Sequence, residues 1–303
     1  MKQSTYFRKW DKVSVAMLMG LFVLLASNSV LAQLRPANAI YYFNEFLMNP
    51  SMAGKERVAK AALGYRQQLS SFSGSPQTQF LTVDYGFDKR SGIGLNVYSD
   101  KAGLLRETKI AFTYAYHLPL SKNDRLSFGL SGSIMNDRLS NGALKGDLDD
   151  PDVIDVDNRK AHIDSDFGMT YTVKKVTVQA VFPNMFATIN KDRVDEVDYL
   201  LFFSAISYKL QTNLGIVEPK LAFRGIKGFK NVVDLGANLA LKSTSASNLN
   251  FLAIYHSSKS ATVGMGLLFN EKYSFNTSYT IGTSQLNSYA VGDLEIGLAL
   301  RFN

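Results

Sequence analysis

The sequence predicts an all-β protein: a transmembrane antiparallel β-barrel of about fourteen strands, preceded by a periplasmic N-terminal segment. Three observations predict it. Apolar and polar residues alternate strictly along many segments. In "DLEIGLALRFN" (293–303), Leu294, Ile296, Leu298, Leu300 and Phe302 share one face, and Asp293, Glu295, Gly297, Ala299 and Arg301 the other. An extended chain keeps such a set in register, whereas a helix would spread it around its circumference. Many segments also have the roughly 9–11 residues that cross a bilayer at a tilt. Finally, the connections are unequal: apart from the short ones at 228–231 and 257–259, long connections follow odd-numbered segments and short ones even-numbered segments, as in barrels whose short turns face the periplasm.

Residues 1–32 read as a secretory signal peptide. Lys2, Arg8, Lys9 and Lys12 form a basic start, "VSVAMLMGLFVLLASNSV" is the apolar core, and Val30-Leu31-Ala32 is the cleavage site. No later segment has the roughly 18 consecutive apolar residues of a membrane helix. The leader carries +3 of the formal +7 charge, leaving +4 on the mature chain. No dense Lys/Arg run follows, so nucleic acid is not an expected partner. There are no cysteines, so neither disulfides nor thiolate-bound metal hold the exported chain; backbone pairing and packing must.

The barrel is expected over 58–303. Its strands fall at 58–66, 78–86, 92–99, 107–118, 124–136, 163–173, 176–183, 199–210, 216–227, 232–241, 249–256, 260–269, 272–281 and 292–302. "KIAFTYAYHL" puts Ile110, Phe112, Tyr114, Tyr116 and Leu118 on one face, and "RLSFGLSGSI" sets Leu126, Phe128, Leu130 and Ile134 against Ser127, Gly129, Ser131 and Ser133. The apolar faces are expected to meet lipid and the polar ones the lumen. Tyrosines near strand ends, among them Tyr65, Tyr98, Tyr116 and Tyr273, suit interfacial girdles. A soluble sandwich would explain the aromatics but neither the strand lengths nor the loop parity.

Residues 33–57, "QLRPANAIYYFNEFLMNPSMAGKER", lack strand alternation and are punctuated by Asn49-Pro50 and Ala53-Gly54. Tyr41, Tyr42, Phe43, Phe46, Leu47 and Met48 are too apolar for a free tail. The segment is expected either to plug the barrel or to dock on a partner.

Here the chain resembles a known family. "YYFNEFLMNPSMAG", "YRQQLSSFSGSPQTQFLTVDY" and "GIGLNVYSDKAGLLRETKIAFTYAYHLPLSKNDRLSFGLSGSI" are similar to consecutive motifs of the PorP/SprF outer-membrane proteins of Bacteroidota. One departure is Leu69, where the family usually has Trp. The resemblance implies a non-catalytic component of the type IX secretion and gliding machinery in the outer membrane. It implies as partners secreted cargo such as adhesins with a characteristic C-terminal domain, and periplasmic lipoproteins or peptidoglycan-binding components. The matching positions are Asn49, Pro50, Ala53, Gly54, Tyr65, Arg66, Gly74, Pro76 and Thr78, carried over as structural or docking residues. Phe302 likewise resembles the terminal aromatic by which outer-membrane proteins are recognised for insertion.

No catalytic, cofactor or metal site is expected. "GDLDDPDVIDVDN" concentrates Asp147, Asp149, Asp150, Asp152, Asp155 and Asp157 but lacks the mid-loop glycine and terminal glutamate of an EF-hand. It reads as a solvated loop. His256 and Ser258 in "YHSSKS" are the elements of a base and nucleophile without a third member. The in-strand glycines form no phosphate loop and suit close packing. The main alternative to an assembly protein is a small diffusive or solute-specific channel, lined by Asn96, Ser127, Ser131, Asp234, Asn238, Glu295 and Arg301.

Overall fold

A computed structural model describes residues 39–70, 74–103, 105–139, 161–189, 200–226, 230–241, 247–282 and 290–302. The signal peptide and the acidic loop lie outside the described residues. The first seven strands are β1 (Ala59–Ser70), β2 (Gln77–Gly86), β3 (Ser91–Ala102), β4 (Leu105–Pro119), β5 (Asp124–Leu139), β6 (His162–Val173) and β7 (Val176–Phe182). After them come β8 (Leu200–Tyr208), the two-residue β9 (Leu210–Gln211), β10 (Gly215–Ile226) and β11 (Val232–Leu241). The last four are β12 (Ser247–His256), β13 (Ser260–Phe269), β14 (Tyr273–Gly282) and β15 (Ala290–Phe302).

Each strand pairs antiparallel with its neighbours, and β1 pairs with β15 from Ala59↔Phe302 to Ser70↔Ala290, closing the ring. β8 and β11 flank β10, leaving β9 outside a closed barrel of fourteen strands. The strands overrun their expected ends: β1 reaches Ser70, and β4 and β5 pair out to Leu105↔Leu139. Gln67, Gln68, Arg106 and Arg138 break the apolar alternation there, but the ladder needs only backbone groups and continues past the apolar band. At the end where β1 starts and β15 finishes, the terminal mouth, turns are tight. Asn270 and Glu271 both have positive φ (51° and 55°), as a two-residue hairpin turn demands.

The faces are distributed as expected of a barrel in lipid. Phe112 and Ile163 are 68% and 66% exposed, whereas Glu295 and Arg224 are 1% and 2% exposed. Such an inversion would be ruinous for a soluble sandwich and is natural where hydrocarbon is the solvent. One girdle expectation is corrected: Tyr98 points inward and packs on the Ile40–Phe80 cluster, because even-numbered positions of β3 face the lumen. The connection after β7 also departs from a plain loop. Its chain turns at Asn184 (φ 52°) into a short helix α1 (Met185–Ile189), whose Phe186 amide donates to Asp164 at 2.9 Å.

Residues 39–57 fold back against the inner wall of the barrel. They form three 3-10 turns, Ile40–Tyr42, Glu45–Leu47 and Pro50–Met52, and bond to inward side chains of β2, β3, β4, β6, β7, β10, β11 and β15. Only a chain inside the barrel reaches strands all around its circumference.

Candidate functional site

The segment sits on a floor prepared by five consecutive strands. Gly86, Gly92, Ala115, Gly129 and Gly168 are successive cross-strand partners on the inward face of β2 to β6. Residues 49–54 lie on this row. A Cβ at Gly129 would run into the Pro50 carbonyl, one at Gly168 into the Asn49 side chain, and those at Gly92 and Gly86 into the carbonyls of Ala53 and Gly54. From the other side, Gly54 has φ +67°, and a Cβ on it would stand 2.7 Å from the Gly92 Cα. Glycine is therefore required on both surfaces of this contact.

Asn49 fixes the register. Its Oδ1 accepts the Ser51 amide (3.0 Å) and hydroxyl (2.8 Å), capping the turn that starts at Pro50. Its Nδ2 donates to Thr170 Oγ1 (3.0 Å) and Gln179 Oε1 (3.1 Å). All four hydrogen-bonding positions of a fully buried amide are thus used. The next contacts follow down the chain. His117 Nε2 donates to the Ala53 carbonyl (2.9 Å), so its Nδ1 takes the Ser127 hydroxyl. The Gly54 amide donates to Asp84 (2.9 Å).

Three carboxylates hold the rest. Glu295 accepts the Ala39 and Ile40 amides at 3.1 and 2.8 Å, with Arg66 3.8 Å away and itself paired to Asp293 at 2.9 Å. Asp234, fully buried, accepts the Tyr41 hydroxyl (2.9 Å), the Arg224 guanidinium (2.9 Å) and His256 Nδ1 (2.6 Å). Glu45 lies between Lys55 (2.9 Å) and Lys220 (3.0 Å). Burial pushes the Glu45 carboxyl up, but the two ammonium groups outweigh it and hold the group well below the usual carboxylate range. Burial and the nearby Asp234 charge push the Tyr41 phenol well above its ordinary value, so it stays a donor.

Between these anchors the wall turns apolar. Val181, Phe203, Ala205, Ala222, Leu252 and Ile254 face inward and receive Tyr41 and Tyr42, with Tyr41 edge-on to Phe203 at 5.7 Å between ring centroids.

The sequence-derived positions divide. Asn49, Pro50, Ala53 and Gly54 come together on the floor, whereas Arg66 stands at the other end of the segment, beside Glu295. Thr78, cross-strand from Arg66, is buried against Asp100 higher on the wall. Tyr65 faces outward and donates to Gln67 at 3.0 Å. Gly74 (φ +84°) and Pro76 shape the first hairpin at the far mouth, where Gly103 donates to the Gly74 carbonyl and Gln68 to that of Pro76, both at 3.0 Å. The His256–Ser258 arrangement does not form: the imidazole is held by Asp234 and Thr262, and Ser258 lies 3.4 Å from Ser260. Among the described residues, no group of three acidic, histidine or cysteine side chains is placed to hold a metal ion.

Arg224 and Lys220 carried no motif, and Tyr41 and Glu45, though inside the quoted entry stretch, were not among its matching positions. A signal was nevertheless present: "FLAIY" (251–255) and "LLFF" (200–203) are apolar on both faces, which a water-filled lumen does not require.

Comparisons with known proteins agree with this architecture. The chain is similar in fold to the Ralstonia pickettii toluene transporter TbuX, with 9% identity over 85% of this chain and 93% of that one, at a TM-score of 0.55. It is also similar to two deletion mutants of the TodX monoaromatic hydrocarbon channel. The ΔS2S3 mutant has 9% identity over 89% of this chain and 95% of that one, at a TM-score of 0.52. The ΔS2 mutant has 10% identity over 86% and 94%, at 0.51. Identities this low speak for the outer-membrane barrel fold alone. Among curated proteins none matches the chain. The model of the type IX secretion system membrane protein PorP/SprF matches residues 30–300, and with its entry motif seated on the glycine floor of an outer-membrane barrel, the chain belongs to that family.

Proposed function

We propose that this protein is a non-catalytic assembly component of the type IX secretion machinery, supporting export or surface attachment of cargo such as large adhesins. In this reading a signal peptide over 1–32 directs export and both ends of the barrel chain face the periplasm. The terminal mouth meets lipoprotein or peptidoglycan-binding components there, and the far mouth meets cargo. The observation that carries it is the occupied lumen. A barrel whose interior is bonded to its own segment 39–57 from eight strands is suited to presenting surfaces rather than to conducting solute.

The second reading is a channel, favoured by the fold likeness to proteins named as transporters and channels of aromatic hydrocarbons. Two measurements separate them. In cells carrying Asn49→Ala with Gly54→Val, a heat-modifiable barrel should remain in the outer membrane, since strand closure does not use these residues, while cargo display falls. Normal display with the segment undocked would refute the assembly reading. In planar bilayers the purified wild-type protein should show no steady conductance and the double variant should show one; a steadily open wild-type pore would favour the channel.

A further inference from the structure

The outer wall is uneven at its far end. The ladder sets Lys101 opposite Arg106 and Arg106 opposite Arg138, so β3, β4 and β5 carry one row of cations. The row faces outward, since Ile110, Phe112 and Ile134 on the same faces of β4 and β5 are 41%, 68% and 57% exposed. It lies four residues, about 13 Å, beyond Ile110 and Ile134, where hydrocarbon gives way to headgroups. The carboxylates next to the three cations in sequence, Asp100, Glu107 and Asp137, point into the lumen. Among the described residues no ion pair or hydrogen bond occupies the side chains of the row. Like charges directly opposite weaken a sheet, and an anion laid over them removes the penalty. The row below reads Asn136, Thr108, Ser99, Gln79 and Tyr65. Beneath that, on the outer face of β15 and β1 to β3, lies a depression of about 380 Å³ walled by Leu63, Leu81, Val97, Ile296 and Leu298. Tyr65, Gln79 and Ser99 line its edge nearest the cations. Across the ring, the far ends of β7, β8 and β10 bring Phe182, Phe202 and Phe223 to the outer face, 5.0 and 6.5 Å between successive ring centroids, so the cations mark one side of the wall.

We propose that this side of the wall binds a phosphorylated glycolipid of the surface leaflet, with phosphates on Lys101, Arg106 and Arg138, sugar hydroxyls on the polar row and one acyl chain in the depression. Arginine meets phosphate as a bidentate fork, and two of the three cations are arginines. Neighbouring strands stand about 4.8 Å apart, so the row is wider than one phosphate and suits a headgroup that bears two. A free phosphate would use the cations and leave the depression empty, and a neutral lipid would do the reverse. Only an anionic amphiphile uses both. The cations stand on the bilayer side of the wall, out of reach of a solute in the lumen. The choice of leaflet rests on the orientation given under the proposed function, with the far mouth outside.

The test uses the full chain in zwitterionic detergent micelles, with bisphosphorylated lipid A as probe and native mass spectrometry to count bound lipid. One lipid A should stay on each barrel, and phosphatidylglycerol should be held more weakly. Arg106→Gln and Arg138→Gln should each weaken lipid A about tenfold, the worth of one charge-assisted hydrogen bond. Leu81→Trp, which fills the depression and removes no cation, should weaken it too. Lys122→Gln, in the exposed turn at the terminal mouth, should leave it unchanged. Retained heat-modifiability shows that the variant barrels are folded. No retained lipid A, equal retention of phosphatidylglycerol, or unchanged affinity in the arginine variants or in Leu81→Trp would overturn the proposal. Displacement by inorganic phosphate at concentrations matching the lipid would mark a small-anion site and overturn it as well. So would binding that appears only once the aspartates of 147–157 are changed to asparagine, which would make that stretch the counter-charge of the row. The assay in micelles needs neither an orientation nor cargo, so its failure leaves the cargo-display assay standing, and the converse holds.

Discussion

The two ends of the plug are held by different physics. At the floor, residues 49–54 meet bare backbone: glycine against glycine, with neutral hydrogen bonds from Asn49, Ser51 and His117. At the start of the segment, residues 39–41 hang from buried charge: Glu295 with Arg66, and Asp234 with Arg224 and His256. The first contact is a matter of shape, intolerant of one added carbon and indifferent to salt. The second is electrostatic, with carboxylates whose desolvation is met only while every partner stays in place. A segment fastened both ways has a position set by sterics and an orientation set by charge.

Perturbing each side sharpens that contrast. The largest effect on the seating of the plug is expected from Gly129→Val, which puts a branched side chain into the Pro50 backbone and should eject the whole floor contact. Limited proteolysis should then cut within 39–57 of a barrel that remains heat-modifiable; a still-protected segment would mean that the floor can yield. Next comes Asp234→Ala, which strands the buried Arg224 and should cost about 3–5 kcal/mol. It should lower the temperature at which the barrel loses its folded gel mobility, and Gly129→Val should lower it less. Equal shifts would erase the distinction between the two ends.

The smallest effect is expected from acid. Glu45 lies on neither anchor, and its carboxyl is held below its ordinary range by Lys55 and Lys220. A group whose folded value is depressed adds stability above its unfolded value, about 4.3 for glutamate, and loses it as pH falls through the folded value. Protection of the segment should be flat from pH 7 to about pH 5 and should fade below about pH 4. In Glu45→Gln the fading should be reduced. A loss beginning near neutral pH would mean that Glu45 is not the group responsible.

The sequence carried the barrel more plainly than the plug. Alternation and loop parity place fourteen strands because each is a property of one strand and its solvent. "DLEIGLALRFN" declares its lipid face without reference to any neighbour. The glycine floor is legible only across strands. Gly86, Gly92, Gly129 and Gly168 are scattered over some eighty positions and become one row only through the ladder registers. Asn49 could be singled out by motif, yet nothing local says that its amide meets Thr170 and Gln179. Tyr98 was misplaced for a related reason: an aromatic near a strand end suits either an interfacial girdle or a lumen-filling role, and only the face parity of β3 separates them.

The seam between β1 and β15 gives the plug a place in time as well as in space. Glu295, on the strand that closes the ring, accepts the amide of Ala39, 256 positions earlier in the chain. Neighbouring hairpins form from local contacts, but this pairing must wait for nearly the whole chain, and the entropy of joining such distant ends makes it a slow event. Because the same strand supplies both the last ladder and a fastening for the segment, ring closure and plug seating are thermodynamically linked. A variant weakened at Glu295 should therefore close late as well as sit loosely, and assembly rate becomes a readout of how the lumen is filled.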